Sequence, residues 1–300
     1  MRALSSVPRL GVGVMYNPAL PAFLRSDLDA IDFLEITSDM FWTDHGAGAR
    51  PRFEELESWV DVLEWTIPQR PVIAHNIGLS IGNAGFFDLE YVEHLAAWQR
   101  RYQFPWQSDH LSFAEISAPD GSERHAGVAV PLPYDRDVLE MIVERVDRFQ
   151  QAVSAPFLLE NSVYFVTFRD QEMTEPQFLN EVTRRTGCGV LLDVHNLYAN
   201  ARNHGFDARD FLSQLDLDTI VEAHIAGGSE FAGMYTDSHS GPCPQEVWDL
   251  LDHLVRRAPN LSAVTFEFHD SYFGRLGVDG VRAELQHARH VLAASRCSAS

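Results

Sequence analysis

A short apolar run in the middle of the chain ends in side chains that can bind a metal ion. Residues 190–192 are apolar, and Asp193, His195 and Asn196 follow them closely. Carboxylate, imidazole and amide groups are common ligands of first-row metal ions. A run that is apolar on both faces predicts a strand in a parallel sheet that is covered on both sides. We therefore expect a metal site at the carboxyl end of this strand, where α/β barrels hold their active sites.

Similar polar side chains lie near the ends of other predicted strands. Carboxylates and imidazoles are costly to bury unless they are paired or bound to a metal. One such residue alone is more often a hydrogen-bonded core residue. Six consecutive strands that each supply one at the same end, however, predict convergence at one mouth of a barrel. The predicted metal ligands are His75, His110, Glu160, Asp193, Asn196, His224, Asp237, His239 and Glu267.

The number of candidate ligands predicts more than one ion. One octahedral ion takes six ligands, so the nine residues suit two or three ions, with carboxylates such as Glu160 bridging between them. The donors are nitrogen and oxygen without thiolate, which suits iron, manganese or zinc. The neighbouring residues His195, Asp109 and Asn161 are the predicted catalytic residues.

The spacing within two ligand pairs leaves some roles open. Alternation on an extended strand would place His195 on the same side as Asp193, where it could be a further ligand, a proton carrier or a substrate contact. Asn196 must lie past the strand end, where the chain turns. Asp237 and His239 face one way if their loop is extended, and a solvated surface turn is the alternative.

The elements that must position these residues follow the pattern of a closed barrel. Eight strand-like runs alternate with helical patterns, which predicts a single (β/α)8 TIM barrel over residues 1–300, with its core at about 11–295 and its metal site at the carboxyl-terminal face of the strands. The predicted strands cover 11–15, 33–37, 72–78, 106–113, 157–163, 189–198, 220–228 and 263–270. The predicted helices cover 53–65, 89–102, 135–153, 175–185, 207–215, 244–257 and 278–294, and a loop is predicted over 118–133.

Composition excludes several classes of partner and location. The formal net charge is -20, so a phosphate backbone is repelled and nucleic acid is a poor partner. No segment reaches the roughly 18 apolar residues of a membrane span, and the first residues lack the apolar core of a signal peptide. The three cysteines are widely spaced and form no CxxC motif, which predicts a reducing, cytoplasmic location.

Several motifs together resemble those of the multinuclear non-haem iron-dependent oxidative enzymes, the MNIO family. The resemblance extends from about Gly11 to Glu267, and the strand-six stretch with its NHGFD continuation is its most specific part. More distantly, the layout resembles endonuclease IV and the xylose-isomerase-like barrels. The motifs are HNIGLSIG (75–82), SDHLSF (108–113), PLPY (131–134), LLENS (158–162), RTGCGVLLDVHNLYANARNHGFD (185–207) and EAHIAGG (222–228).

This resemblance implies a TIM barrel that holds two or three iron ions (Fe2+/Fe3+) on the ligand set given above. It implies an enzyme that uses O2 as co-substrate to modify side chains, often cysteines, of a ribosomally synthesised precursor peptide. It also implies that a separate partner protein can deliver the peptide. The chain departs from many relatives in two places: His195 stands where they often have Asn, and residues 15–18 replace a His-containing segment.

Two other functions are consistent with the same residues. A non-redox metal enzyme on this barrel, a sugar isomerase or a phosphodiesterase, would use the ions as Lewis acids that activate water. A metal-binding scaffold with an inactive site is the third hypothesis, and the complete ligand set argues against it.

Overall fold

Eight parallel strands close into a barrel, as the sequence predicts. The computed structural model describes residues 4–117 and 123–297. Its strands are β1 (Gly11–Met15), β2 (Phe33–Thr37), β3 (Trp42–Asp44), β4 (Phe53–Glu55), β5 (Val72–Asn76), β6 (Gln107–His110), β7 (Phe113–Ser117), β8 (Glu123–Val130), β9 (Phe157–Glu160), β10 (Gly189–Asp193), β11 (Ile220–Ile225), β12 (Ser229–Phe231), β13 (Met234–Thr236) and β14 (Ala263–Phe266). Its helices are α1 (Pro21–Asp27), α2 (Glu57–Thr66), α3 (Leu89–Tyr102), α4 (Arg136–Ala152), α5 (Glu175–Thr186), α6 (Val194–His204), α7 (Ala208–Gln214), α8 (Gln245–Val255) and α9 (Phe273–Cys297). The order around the barrel is β1-β14-β11-β10-β9-β6-β5-β2.

Alternation along the strands gives the barrel interior an apolar layer followed by a polar layer. Leu158 and Leu191 belong to a compact cluster of fully buried side chains contributed by neighbouring strands. Side chains two positions apart on a strand share a face, so Glu160 and Asp193 lie on the same side, one step nearer the carboxyl end. The polar layer therefore lies at the carboxyl-terminal mouth of the barrel.

Strand register aligns the ends that carry the predicted ligands. His110 pairs with Glu160 between β6 and β9, and Asp193 pairs with His224 between β10 and β11. The register between β10 and β11 shifts by one residue, with Val190 opposite Ile220 and Leu191 opposite Glu222. Such an irregularity re-aims the side chains that follow it.

The strand predicted over 189–198 is too long. Strand β10 ends at Asp193 and helix α6 begins at Val194, because the Asp193 side chain accepts the backbone N–H of Asn196 at 2.8 Å and caps the helix. His195 therefore lies in the first turn of a helix, and the argument from strand alternation for its orientation is wrong. The expected turn before Asn196 is confirmed.

Short antiparallel hairpins occupy three of the loops, and the sequence analysis missed them. They pair β3 with β4, β7 with β8, and β12 with β13. The helix predicted over 53–65 is wrong at its start, since Phe53–Glu55 form β4. The loop predicted over 118–133 is wrong over Glu123–Val130, which form β8, and its residues 118–122 lie outside the described residues.

The helices form where apolar residues recur at spacings of three and four residues along the chain. Helix α4 follows Asp135, whose side chain accepts the Val138 N–H at 2.9 Å, and its apolar face packs on the barrel. Helix α9 is kinked at Gly277, which has a φ of 63°. Within the described ranges, no helix is both long and apolar enough to cross a membrane.

Candidate metal centre

Two histidines approach one oxygen of Glu160 at the ends of β5, β6 and β9. His75 Nε2 lies 3.2 Å from Glu160 Oε2, and His110 Nε2 lies 3.1 Å from the same atom. This oxygen is buried and has no hydrogen-bond partner among the described residues. We call His75, His110 and Glu160 group A; their donor atoms lie within 4.8 Å of one another.

A second group shares Glu160 with group A. His224 Nδ1 lies 3.6 Å from Glu160 Oε1 and 3.0 Å from Glu267 Oε1. Donor atoms of Glu160, Asp193 and His224 also lie within 4.8 Å of one another. We call Glu160, Asp193, His224 and Glu267 group B. The two oxygens of Glu160 thus contact different groups, which is the arrangement that a bridging carboxylate requires.

A third group adjoins group B through Glu267. His239 Nε2 lies 2.8 Å from Asp237 Oδ1 and 3.3 Å from Glu267 Oε2, and we call these three residues group C. His239 has a φ of 49°, a conformation that non-glycine residues rarely adopt and that persists where the surroundings fix it. The backbone N–H of His269 donates to the His239 carbonyl at 2.8 Å and helps to fix it.

The buried donor atoms of these groups fit divalent metal ions. A buried polar atom without a partner costs about 1–3 kcal/mol, and an ion bound between such atoms would remove that cost. Imidazole, carboxylate and amide donors without thiolate suit first-row metal ions. The predicted ligand atoms that are buried and make no well-aligned hydrogen bond to the described residues are Glu160 Oε2, Asp193 Oδ2, Asn196 Oδ1, His224 Nδ1 and His239 Nε2.

Hydrogen bonds from the opposite ring nitrogens orient two of the histidines. His75 Nδ1 lies 2.9 Å from Ser108 Oγ, which leaves Nε2 toward Glu160. His224 Nε2 lies 3.0 Å from a carboxylate oxygen of Glu35, which leaves Nδ1 toward groups A and B. A carboxylate behind a histidine is a common way to orient a metal-binding imidazole and to raise its basicity.

The sequence analysis missed Glu35 and Glu222, which are completely buried beneath the groups. Donor atoms of these two residues and His224 lie within 4.8 Å of one another. Glu222 accepts from Trp106 Nε1 at 2.7 Å and from Thr265 Oγ1 at 2.9 Å. A single carboxylate inside each of the apolar runs FLEIT and IVEAHI indicates a buried functional group. A search restricted to polar residues at strand ends overlooks both.

Electrostatic interactions within groups A to C favour the binding of cations. Burial raises the pKa of Glu160, but His110 and His75 outweigh it and lower the pKa to about 2. Burial lowers the pKa of His239, whereas Asp237 and Glu267 raise it to about 10. Carboxylates strong enough to hold protons on neighbouring imidazoles also attract metal ions, which compete with those protons.

The three predicted catalytic residues have different surroundings. His195 is fully buried, with Nδ1 2.9 Å from Asp237 Oδ1 and Nε2 3.3 Å from the Tyr235 hydroxyl. Asn161 uses both ends of its amide on the backbone of Asp193, at 2.9 and 2.8 Å. Asp109 lies outside groups A to C, where Oδ2 accepts the Leu79 N–H at 3.3 Å. Of the three, His195 is the one whose side chain contacts the side chain of a predicted ligand, which is Asp237.

Comparison with known proteins relates the chain to a family of peptide-modifying enzymes. Residues 10–293 match the family described as RiPP precursor modification enzyme MbnB/TglH/ChrH, where RiPP denotes a ribosomally synthesised and post-translationally modified peptide. A UPF0276 protein of Caulobacter vibrioides is 32% identical over 279 residues, which are 93% of this chain and 92% of that protein. A UPF0276 protein of Bordetella pertussis is 37% identical over 264 residues, 85% of this chain and 86% of that protein.

Solved structures with the same barrel are distant in sequence. The D-psicose 3-epimerase of Clostridium cellulolyticum H10 has a TM-score of 0.57 at 12% identity and covers 96% of this chain and 98% of its own. The IOLI protein, solved with a zinc atom, has a TM-score of 0.59 at 14% identity and covers 95% and 99%. At these identities the likeness establishes the xylose-isomerase-like barrel fold alone.

Proposed function

We infer that this chain, which belongs to the MbnB/TglH/ChrH family of RiPP precursor modification enzymes, binds two or three iron ions in groups A to C and uses O2 to oxidise side chains of a precursor peptide. The observation that carries the proposal is the sharing of Glu160 between groups A and B and of Glu267 between groups B and C. Shared carboxylates are what adjacent ions need in order to be held a few ångströms apart.

The proposed ligands divide among the three groups. His75, His110 and Glu160 would hold one ion, and Asp193 and His224 a second beside it. Asp237 and His239 would hold a third where it is present, and Asn196 offers its free amide oxygen beside Asp193. When bound, iron would supply electrons to O2 in its ferrous form and accept electrons from the peptide side chain in its oxidised form.

The remaining residues serve the site through position and proton placement. We propose that His195, between Asp237 and Tyr235, holds a proton at Nδ1 or Nε2 and keeps Asp237 oriented. Asn161, predicted as catalytic, acts instead as a positioning residue, because its amide is bonded to the backbone of Asp193. The buried Asp109 carboxyl has its pKa raised well above the usual range, by burial and then by Asp39, and acts as a neutral hydrogen-bonding group.

The surface around the barrel mouth suits the binding of a peptide substrate. Large apolar side chains are exposed on segments that follow different barrel strands: Ile77 after β5, Val166 after β9, and Phe231, which is 75% exposed, at the end of β12. Exposed apolar groups of this kind mark surfaces that bind other chains. We propose that they contact the precursor peptide or a partner protein that delivers it, and that the reaction takes place in the cytoplasm, since Cys188 and Cys243 are free thiols.

The test is reconstitution of the metal-free protein with Fe(II) in the absence of O2, followed by O2 and peptides encoded beside the gene. We expect O2 uptake, a mass change in one peptide, and about two or three bound iron ions per chain. Glu160→Gln should lose most of the iron and the activity, whereas Glu181→Gln, at a half-exposed residue that pairs with Arg184, should keep both. Absence of O2 uptake and mass change with every peptide, or full activity with zinc alone, contradicts the proposal.

A further inference from the structure

A cavity of about 520 Å³ is lined by segments that follow strands β9 and β10 in the chain. One wall is the loop that follows β9, which carries Tyr164, and the opposite wall is the connection between α6 and α7, which carries Phe206. The first wall continues directly from β9, which ends at the predicted ligand Glu160, whereas helix α6 separates the second wall from the end of β10. None of groups A to C lines this cavity, and the proposed chemistry does not use it.

The cavity combines aromatic rings with carboxyl groups. Its rings are those of Tyr134, Tyr164, Phe206 and Phe211, and its acidic residues are Glu175, Asp207 and Asp210. Among the described residues that line it, none carries a cationic side chain. Aromatic faces attract cations through their quadrupoles, and the attraction is stronger where water is excluded.

Glu175 is the acidic residue that most needs a cationic partner. It is only 7% exposed, and its carboxyl receives a hydrogen bond from the Tyr134 hydroxyl. Glu175 is also the first residue of α5, but Thr174 and Gln177 form a capping box that satisfies N–H groups at that helix end. Thr174 and Gln177, and not Glu175, therefore cap the helix, although the helix dipole also favours a carboxylate in this turn. A buried carboxyl in a cavity whose described lining carries no cation suits a ligand that brings one.

We propose that this cavity binds the side chain of an arginine or lysine in the precursor peptide and thereby anchors the peptide beside the metal centre. This inference rests on the proposed function. The aliphatic stem would pack between the rings of Tyr164 and Phe206, and the charged end would reach Glu175 and Asp210. The exposed Val166, which also lines the cavity, would contact the peptide backbone at its edge.

The position of the anchor predicts its spacing from the oxidised residue. Tyr164 follows the predicted ligand Glu160 by four residues, and four extended residues span at most about 14 Å. An extended peptide covers about 3.3 Å per residue, so a residue anchored at Tyr164 should lie within about four positions of the residue that is modified.

Protonation of Glu175 should be linked to binding. Burial raises its pKa to about 8, against the lowering effect of the Tyr134 hydroxyl, so a cation is held better once the proton has left. The other titratable groups that line the cavity are Tyr134, Tyr164, Asp207 and Asp210. Burial raises the pKa of both tyrosines, so they stay neutral through this range. Binding should strengthen from pH 6.5 to pH 9 in the native protein and not in Glu175→Gln.

The experiment compares two small probes by calorimetric titration. Nα-acetyl-arginine methylamide carries the cation, and Nα-acetyl-citrulline methylamide has the same shape without charge. The native protein should bind the arginine compound at least about tenfold more tightly. Glu175→Gln should lose that preference, and Glu181→Gln, which removes a carboxylate from a half-exposed position of α5 outside the cavity, should keep it. Equal binding of both probes, or an undiminished preference in Glu175→Gln, overturns the proposal.

A second variant and a kinetic measurement separate this inference from the proposed function. Asp210→Asn, on the exposed side of the cavity, should weaken the preference for arginine even where Glu175→Gln does not fold. If the probe binds as expected but no peptide is oxidised, the cation site stands and the proposed function falls. If a peptide is oxidised and Glu175→Gln does not raise KM, the anchor falls and the function stands.

Discussion

The environment of His195 differs from the one expected for a residue on a strand, because His195 lies in the first turn of helix α6. One ring nitrogen contacts Asp237 and the other contacts the hydroxyl of Tyr235, which is not a predicted ligand, so we propose that His195 carries a proton beside the ions. We predict that His195→Asn keeps the full iron content but lowers turnover by about 10- to 100-fold, the usual effect of removing a group that orients a ligand. Metal analysis together with steady-state rates tests this. Loss of one iron equivalent would instead make His195 a ligand.

Glu35 is expected to act on the metal site through His224. Its carboxylate lies 3.0 Å from His224 Nε2, and burial, followed by the neighbouring Glu222, raises its pKa to about 7. Glu35→Gln keeps an acceptor of the same size but removes the charge, so we expect metal affinity to fall by about 10- to 100-fold while the fold persists. Competition with a coloured chelator measures the affinity. Glu57→Gln, an exposed change of the same kind, is the control, and equal affinities in the two variants would refute the role.

His94 should make the protein sensitive to acid. Its ring stacks on Phe53 at 4.2 Å and meets the edge of Trp42 at 4.5 Å, and burial lowers its pKa from 6.5 to about 4. Between those pH values the unfolded chain binds a proton that the folded protein excludes, so stability falls on acidification. After a discount for partial exposure, native protein should lose about 1–2 kcal/mol more than His94→Phe between pH 7 and pH 4. Urea unfolding at both pH values measures this, and equal losses would contradict it.

At the scale of elements, the ends of β9 and β10 are joined by one side chain. The Asn161 amide bonds both the N–H and the carbonyl of Asp193, and Asp193 in turn caps α6. Asn161→Ala leaves the buried Asp193 N–H without this partner and removes one bond to the Asp193 carbonyl, so we expect a loss of about 1–3 kcal/mol in the free energy of unfolding together with weaker metal binding.

Asn180→Ala is the matched control for this prediction. Asn180 also uses both ends of its amide on backbone, at the Gln214 carbonyl and the Asp216 N–H, but on the exposed side of α5. It should cost less stability and leave metal binding unchanged. Equal effects of the two variants on metal affinity would show that the Asn161 bonds do not position the ligand.

The barrel could be predicted because the sequence patterns that mark its strands are local. The boundaries of several strands and helices could not be predicted. Apolar runs that end in carboxylates and imidazoles mark strand ends whatever their distance in sequence, and parallel topology brings them to one mouth. The junction at Asp193 escaped prediction because one residue ends the strand, caps the helix and carries a predicted ligand atom. Short hairpins such as β12–β13 depend on tertiary context, which outweighs the intrinsic preference of three-residue segments.

At the scale of the whole molecule, closure of the barrel determines which residues meet. Glu267 follows the last strand, and His75 lies near the end of β5, early in the chain. His75 nevertheless contacts Glu160 in group A, and Glu267 contacts His224 in group B. No local segment holds a complete group, so metal binding depends on the folded barrel. The acidic chain, with a net charge of -20, would favour metal cations and a basic peptide alike through its long-range field.

Because the groups exist only in the folded protein, bound metal should stabilise the whole chain. A ligand present at about one hundred times its dissociation constant adds about 2.7 kcal/mol for each site, and each kcal/mol raises Tm by about 2–4 °C in domains approaching this size. We therefore predict that anaerobic Fe(II) raises the Tm of metal-free protein by at least about 5 °C and that a chelator reverses the change. Glu160→Gln should abolish most of the shift because it removes the carboxylate shared by groups A and B. Glu181→Gln should retain it, and an equal shift in both variants would mean that the ions bind elsewhere.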